Sequence, residues 1–204
     1  MLFIRCAILF HIPYSDEVLS LYQRINLSYW KAYERGEITS AALAIARFHD
    51  FLAAVGKDGD PALMCQLYQT SLGEDCTPIH DALRVCSILH ERGYKFSIIT
   101  NGRSTTQHSR LSHSELTPMI SDLFISEELG CQKPKKKFFD AVFSKLQISV
   151  SKALVIGDSL TSDIIGGIQY GIDTCWFNPN GSDNTMSQAP TYEIKQLSEL
   201  LSIL

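Results

Sequence analysis

Apolar side chains recur at three- and four-residue steps through the first third of the chain, which is the spacing of amphipathic helices. Three helical segments are predicted, at residues 15–36, 39–56 and 60–73. Each opens on a residue type that caps helices: Ser15, then Thr39 or Ser40, then Asp60 followed by proline. Gly36 and Gly56 end the first two. No strand candidate interrupts this block, so it is predicted to be a helical module.

The pattern changes near residue 77, where short apolar runs rich in β-formers begin to alternate with helical segments. Strands are predicted at "YKFSIIT", "LFIS", "KALVIGD" and "DTCWFN". The predicted helices are "PIHDALRVCSILHERG", "STTQHSRLSHSE", "PKKKFFDAVFSKLQI", "TSDIIGGIQYG" and "IKQLSELLSIL". Such alternation favours a doubly wound α/β fold, with a parallel sheet covered on both faces. The expected organisation is an apolar N-terminus at 1–12, a helical cap at 13–77 and an α/β core at 78–204.

The composition narrows the range of partners. The 204 residues are 45% hydrophobic and 20% charged, with a net charge of -4, which disfavours nucleic acid or an anionic membrane held by bulk charge. Six cysteines show no metal-binding spacing, as in a reducing cytosol. The start, "MLFIRCAILFHIPYSDE", has a short apolar part and no small-residue cleavage site, so a buried strand or helix start is favoured over a signal peptide. A cytoplasmic location is expected.

Ligands of doubly wound sheets bind beyond the carboxyl ends of the strands, so the residues at three strand ends are the candidates for chemistry. The first end is "SIITNG". The hydroxyl of Thr100 and the backbone N–H groups of Asn101 and Gly102 have the right chemistry for a phosphate oxygen next to a helix start. The simpler alternative is a strand-to-turn transition, because Asn-Gly is a common turn pair.

The second strand end is followed by Lys133, which lies just before Pro134 and the next predicted helix. An ammonium group there would neutralise a phosphoryl group or an attacking carboxylate. The alternative is a solvated lysine, because "KPKKK" is a dense basic run.

The third strand end carries two acids, Asp158 directly after "ALVIG" and Asp163 near the first turn of the next helix. Paired carboxylates suit Mg²⁺, a hard cation that takes oxygen ligands and keeps several waters. Helix capping by Asp163 and a turn role for Asp158 are the structural alternative.

Taken in order, "SIITNG", "KPKKKFFDAV" and "VIGDSLTSDIIGGIQYGIDTCWFN" resemble the second, third and fourth motifs of the haloacid-dehalogenase-like (HAD) hydrolases. Upstream, "YQRINLSYWKAYERGEITSAALAIARF" resembles the helical cap of one branch, the bacterial pyrimidine 5′-nucleotidases. The likeness runs from about residue 13 to the C-terminus.

The resemblance implies a Mg²⁺-dependent phosphatase that acts on a small phosphorylated metabolite, in particular a nucleoside monophosphate. Thr100 would hydrogen-bond the phosphoryl oxygen, with Asn101 and Gly102 beside it. Lys133 would balance the charge of the phosphoryl group and the nucleophile. Asp158 would bind Mg²⁺, and Asp163 would ligate it or orient its water. The cap would close over the site and select the leaving group.

The family's first motif, Asp-x-Asp-x-Thr at the end of the first core strand, has no counterpart here. In the family its first aspartate attacks phosphorus and its second is the general acid and base. The sequence has no aspartate before Asp16, and "DGD" at residues 58–60 lies between predicted cap helices with no apolar strand before it. The family's first strand is central, so its loss predicts unpaired strand edges and exposed apolar faces, which "FIRCAILF" would partly fill.

Three hypotheses follow for function. The first is a 5′-nucleotidase-like phosphatase by lineage, impaired in this chain by the missing motif. The second is a non-catalytic descendant that binds a nucleotide or a protein partner. The third is a haloacid dehalogenase, which the paired acids of "GDSLTSD" disfavour because dehalogenases need no metal and show a Ser-Asn pattern there.

Overall fold

The structure is a computed structural model that describes residues 7–204. Their contacts form two compact units. One contains the described residues through Cys76 together with His108–Arg110, and the other contains Thr77–Gln107 and Leu111–Leu204. No helix among residues 7–204 is both long and apolar enough to cross a membrane.

The first unit is built from three helices, α1 (Asp16–Glu34), α2 (Ser40–Ala54) and α3 (Pro61–Glu74). The side chains of Ser15, Thr39 and Asp60 each accept a backbone N–H of the first turn, so all three predicted caps form. An apolar core rich in aromatic rings holds the three helices together. Rings of this size bury a large apolar area and therefore contribute strongly to the stability of a small unit. Its members are Tyr22, Phe48, Phe51, Leu52 and Met64.

The apolar N-terminus contributes to the same core. Residues 3–6 of "FIRCAILF" lie outside the described residues, but residues 7–9 are helical. Ala7 and Ile12 are buried in the core of the helical unit, and Phe10 packs against it. The described part of this segment is therefore a helical turn of the first unit and is not a strand of the sheet.

The second unit alternates strands and helices. Its strands are β1 (Phe96–Thr100), β2 (Ile120–Ile125), β3 (Leu154–Gly157), β4 (Asp173–Phe177) and β5 (Tyr192–Ile194). Its α-helices are α4 (Ala82–Glu91), α5 (Ser104–Ser112), α6 (Ser126–Leu129), α7 (Lys136–Leu146), α8 (Ile165–Tyr170) and α9 (Leu200–Ile203). All strand pairs are parallel. This agrees with the predicted α/β class.

Two apolar cores flank the strands. One contains Phe124, Phe138, Phe139 and Val155, and the other contains Val85, Leu89, Cys175 and Ile194. Two predicted elements differ from those observed. The predicted C-terminal helix from Ile194 is wrong at its start, because residues 192–194 pair with β4 as a strand. The helix after β3 opens with a π-helical turn, Leu160–Ile164.

The strands fall into two separate ladders, β1–β2 and β3–β4–β5. Among the described residues, β1 pairs only with β2, and β3 pairs only with β4 at its one bonded edge. Interior strands of a covered sheet are normally buried, yet all five β1 residues are only half-buried and Ile156 of β3 is 37% exposed. The described strands thus have unpaired edges and partly exposed apolar side chains.

Candidate active site

Lys133 lies at the centre of the candidate site. Its ammonium group donates to Asp163 Oδ1 at 2.6 Å and to the backbone carbonyl of Ile99 at 2.9 Å. Both side chains of the ion pair are buried, with 7% of Lys133 and 10% of Asp163 exposed. Lys133 is thus the buried lysine of the basic run, whereas Lys135, Lys136 and Lys137 are exposed. An ammonium group has three donors, and the third has no partner among residues 7–204.

The contacts of the Lys133 ammonium group also connect the two ladders of strands. Ile99 is a β1 residue, and Asp163 follows β3, so one ammonium group connects the end of β1 to the turn after β3. The two strands are not hydrogen-bonded to each other. At this end the side chains of Lys133 and Asp163 therefore join the two ladders.

Asn101 fixes the backbone of Lys133. Its Nδ2 donates to the Lys133 carbonyl at 3.0 Å, and its Oδ1 accepts the Lys133 N–H at 2.9 Å. The oxygen and the nitrogen of the amide both bond to the Lys133 backbone, so the side chain of Asn101 positions the lysine. Phosphate binding by Asn101 stays a prediction for its backbone N–H.

Thr100 ends β1, and its Oγ1 accepts the Gly102 N–H at 3.0 Å. That bond leaves the hydroxyl proton of Thr100 free to be donated, which is the role predicted for it. The N-terminus of α5 is occupied from within the unit, because Ser104 N donates to the Glu127 carboxylate at 2.6 Å. The helix start is thus less open to an added anion than the sequence suggests.

The two acids after β3 differ in environment. Both carboxylate oxygens of Asp163 are engaged, Oδ1 by Lys133 and Oδ2 by the Ser159 N–H at 3.3 Å. Asp158 is exposed, and its carboxylate makes no hydrogen bond to the described residues. The backbone of Asp158 is fixed, since its carbonyl accepts the Trp176 indole N–H at 3.0 Å.

These acids have the chemistry for a magnesium ion. Mg²⁺ is usually held by one or two carboxylates and retains several waters. The exposed carboxylate of Asp158 could ligate the ion directly. The carboxylate of Asp163, which also accepts a hydrogen bond from Lys133, could ligate the ion or orient one of its waters. No cluster of three or more His, Cys, Asp or Glu side chains occurs within residues 7–204 that could hold a metal ion by itself.

Sequence reasoning missed Gly157. A Cβ built on Gly157 would lie 2.3 Å from Asp163 Oδ2, far inside van der Waals contact. The absence of a side chain at this strand end is what lets the carboxylate fold back toward Lys133. Gly157 is part of "VIGD", but it is needed because the Asp163 side chain packs against its Cα, a contact that cannot be read from the sequence.

The "DGD" acids do not substitute for the first motif. Asp60 caps α3 through the Ala62 N–H at 2.8 Å, and Asp58 is exposed in the loop before it. Both belong to the helical unit. Their structural role is the one the sequence favoured.

Comparison with known proteins identifies the family of this chain. A family model described as haloacid dehalogenase-like hydrolase matches residues 11–171. The HAD hydrolase YfnB of Bacillus subtilis is 41% identical over 95% of this chain and 83% of its own length. The pyrimidine 5′-nucleotidase PynA of Streptococcus pneumoniae is 36% identical over 90% of this chain and 78% of its own length. The pyrimidine 5′-nucleotidase YjjG of Escherichia coli is 33% identical over 96% and 86%.

Solved structures show the same fold. A crystal structure of magnesium-bound YfnB from Bacillus subtilis superimposes with a TM-score of 0.92 at 39% identity, over 99% of this chain and 89% of that one. The L-2-haloacid dehalogenase of Xanthobacter autotrophicus gives a TM-score of 0.75 at 16% identity, over 92% and 85%, and so resembles this chain in fold alone. From the match over residues 11–171 and the similarity to YfnB, the chain belongs to the haloacid dehalogenase-like hydrolase family.

Proposed function

We propose that this protein is by family a phosphatase of the 5′-nucleotidase type, whose Mg²⁺-dependent reaction removes phosphate from a nucleoside monophosphate, and that the chain of 204 residues binds the nucleotide with impaired turnover. The observation that carries the proposal is the buried Lys133 ammonium, held between Ile99 and Asp163 with one donor to spare. A fixed, desolvated cation at a strand end is the device that neutralises a phosphoryl group. The similarity to PynA and YjjG supports a nucleotide as the substrate.

Each residue has a distinct task in this proposal. Thr100 donates its hydroxyl proton to a phosphoryl oxygen, and Lys133 donates its third N–H to another. Asn101 and Asp163 orient the lysine by fixing its backbone and its ammonium group. A Mg²⁺ ion on Asp158 would supply positive charge to the phosphoryl oxygens. The paired acids favour this chemistry over dehalogenation.

The proposal also concerns what the 204-residue chain lacks. A phosphatase of this family needs a carboxylate that attacks phosphorus and a second that moves the proton. Asp163 is occupied in the ion pair, and no third acid joins it and Asp158 as a cluster among residues 7–204. We therefore expect this chain to bind a nucleotide and to turn it over little or not at all.

A second candidate function is non-catalytic nucleotide binding. The same observation favours it, because phosphate recognition by Thr100 and Lys133 requires no nucleophile. The two candidates share a site and differ only in whether chemistry follows binding.

Calorimetry and phosphate release together test the proposal. The purified chain is titrated with UMP and dUMP in the presence of Mg²⁺, and phosphate release is followed under the same conditions. Binding should be lost in Lys133→Met and retained in Lys137→Met, which removes an exposed lysine from the same run. No binding by the wild-type chain, or equal binding by both variants, would refute the assigned site. Mg²⁺-dependent turnover that Asp158→Ala abolishes would refute the predicted loss of activity.

A further inference from the structure

Arg47 of the helical unit is a buried cation that has no counter-charge among the described residues. It lies on α2 and is 2% exposed, and no ion pair to it forms within residues 7–204. Asp50, one turn along the same helix, is already bonded by Tyr29 and His49. A guanidinium group stays protonated in proteins, so this charge cannot be removed by a change in protonation.

The contacts of Arg47 leave one edge of the guanidinium group unused. Nη1 donates to Asn26 Oδ1 at 2.6 Å. Nε and Nη2 are buried and have no hydrogen-bond partner among the described residues. These two nitrogens form the side-by-side edge of the guanidinium group, the edge that engages carboxylates and phosphates through two parallel hydrogen bonds.

Aromatic rings hold the group in place. Its Cζ atom lies 4.7 Å from the centre of the Phe48 ring and 5.2 Å from that of Tyr68. Such cation–π contacts offset part of the cost of burying the charge, but they supply no hydrogen-bond acceptor to Nε or Nη2. Unpaired buried donors are rare and call for a specific explanation.

We propose that Arg47 is the anchor of a binding site in the helical unit for a small oxyanion, a carboxylate or a phosphate group, received in bidentate fashion by Nε and Nη2. Asn26 holds the opposite side of the guanidinium group, and Phe48 and Tyr68 fix its plane. Asn26 and Tyr68 are only half-buried, so the group lies one side chain beneath the surface. The site is independent of the proposed nucleotidase function, since it uses no residue of the strand ends.

The alternative is that Arg47 has a structural role alone. A buried guanidinium group that only fills space can be replaced by an apolar side chain of similar length with little loss, or even a gain, in stability. Arg47→Met should therefore fold in both cases, and it is the binding of a ligand by the original chain and its loss in the variant that separates the two roles. If the arginine serves a ligand, the variant folds and loses ligand binding. Arg47→Lys keeps the charge and removes the bidentate edge, so it should also lose binding.

The test observes Arg47 directly. In a chain labelled with ¹⁵N at arginine, the Nε–H signal of Arg47 is assigned by its absence in Arg47→Lys. Malonate and inorganic phosphate are then titrated at constant ionic strength, with thermal unfolding measured in parallel. We expect a saturable shift of this signal and a rise in melting temperature with either probe. The rise with malonate should disappear in Arg47→Met and persist in Arg24→Met, which removes an exposed arginine of α1. Phosphate also has the proposed site at Lys133, so its binding to Arg47 is judged from the Nε–H signal alone.

Two results would overturn the proposal. One is the absence of a saturable shift with both probes while Arg47→Met remains folded, which would leave Arg47 a structural residue. The other is a shift with the neutral nucleoside cytidine and none with either oxyanion, which would contradict an anion site. If the calorimetric test refutes the nucleotide site proposed at Lys133, the Arg47 test still stands, because the Nε–H signal reports only the surroundings of Arg47.

Discussion

Lys133 Nζ and Asp163 Oδ1 lie 2.6 Å apart in a buried ion pair that connects the segment between α6 and α7 to the turn after β3. Breaking such a pair leaves an uncompensated buried charge, whereas replacing both partners by apolar groups is far less costly. We expect Asp163→Asn to lower the free energy of unfolding by about 3–5 kcal/mol. The double variant Lys133→Met with Asp163→Leu should recover much of that loss in chemical denaturation.

The exposed pair Lys136–Asp140, also at 2.6 Å, is the matched control. Solvent screens it, so Lys136→Met should change the free energy of unfolding far less than Asp163→Asn does. Equal losses for Asp163→Asn and Lys136→Met would mean that the Lys133 pair is not buried in solution.

Gly157 is required by the position of Asp163. Because a Cβ at residue 157 would meet the carboxylate at 2.3 Å, Gly157→Ala should cost about 1–3 kcal/mol and displace Asp163 from Lys133. A double-mutant cycle with Asp163→Gly tests this, because the clash involves the Cβ of Asp163 as well as its carboxylate and only removal of the whole side chain relieves it. Additive losses in the cycle would show that the two residues do not compete for space.

Tyr29 provides a pH-dependent test of the helical unit. Its hydroxyl donates to Asp50 Oδ2 at 2.6 Å, and this bond to a carboxylate raises the pKa of Tyr29 to about 12. An unfolded tyrosine titrates at about pH 10, so the bond's contribution is complete below pH 10 and is lost as the pH rises toward 12. Tyr29→Phe should show a smaller fall in stability across that interval.

The pair is largely exposed, so Tyr29→Phe should lower stability at pH 7 by less than about 1 kcal/mol. Ultraviolet titration of the folded chain and of Tyr29→Phe gives a second reading. The variant should lose a phenol that ionises near pH 12, while Tyr170, whose pKa burial also raises, is present in both chains. Ionisation of all tyrosines together near pH 10 would contradict the bond to Asp50.

The candidate residues could be named because strand ends are visible in sequence. Thr100 and Asp158 lie at the ends of apolar runs, Lys133 lies in the connection after β2, and parallel strands bring their carboxyl ends to one edge. The family match confirms the fold class that this pattern indicated. The caps of the three helices were equally predictable, because they rest on hydrogen bonds between neighbours in the chain.

Other features depend on contacts between distant residues and leave no local signal. The bond from Lys133 to the Ile99 carbonyl joins positions 34 residues apart. Ile194 was predicted as the first residue of the last helix because it fits an apolar helical pattern, but it pairs with β4 as the last residue of β5. Arg47 stands among apolar residues on α2, and only packing shows that its guanidinium group is buried.

The central claim is that this chain holds the phosphate-binding part of a HAD phosphatase site without the attacking carboxylate. It is tested most directly by adding the carboxylate. An apolar strand that ends in Asp-x-Asp-x-Thr is joined by a flexible segment ahead of Met1, and Mg²⁺-dependent phosphate release from UMP is measured. The control carries Asn-x-Asn-x-Thr. We predict release by the Asp form and none by the Asn form or the original chain. Equal release by the original chain, or none by a folded Asp form that binds UMP, would contradict the account.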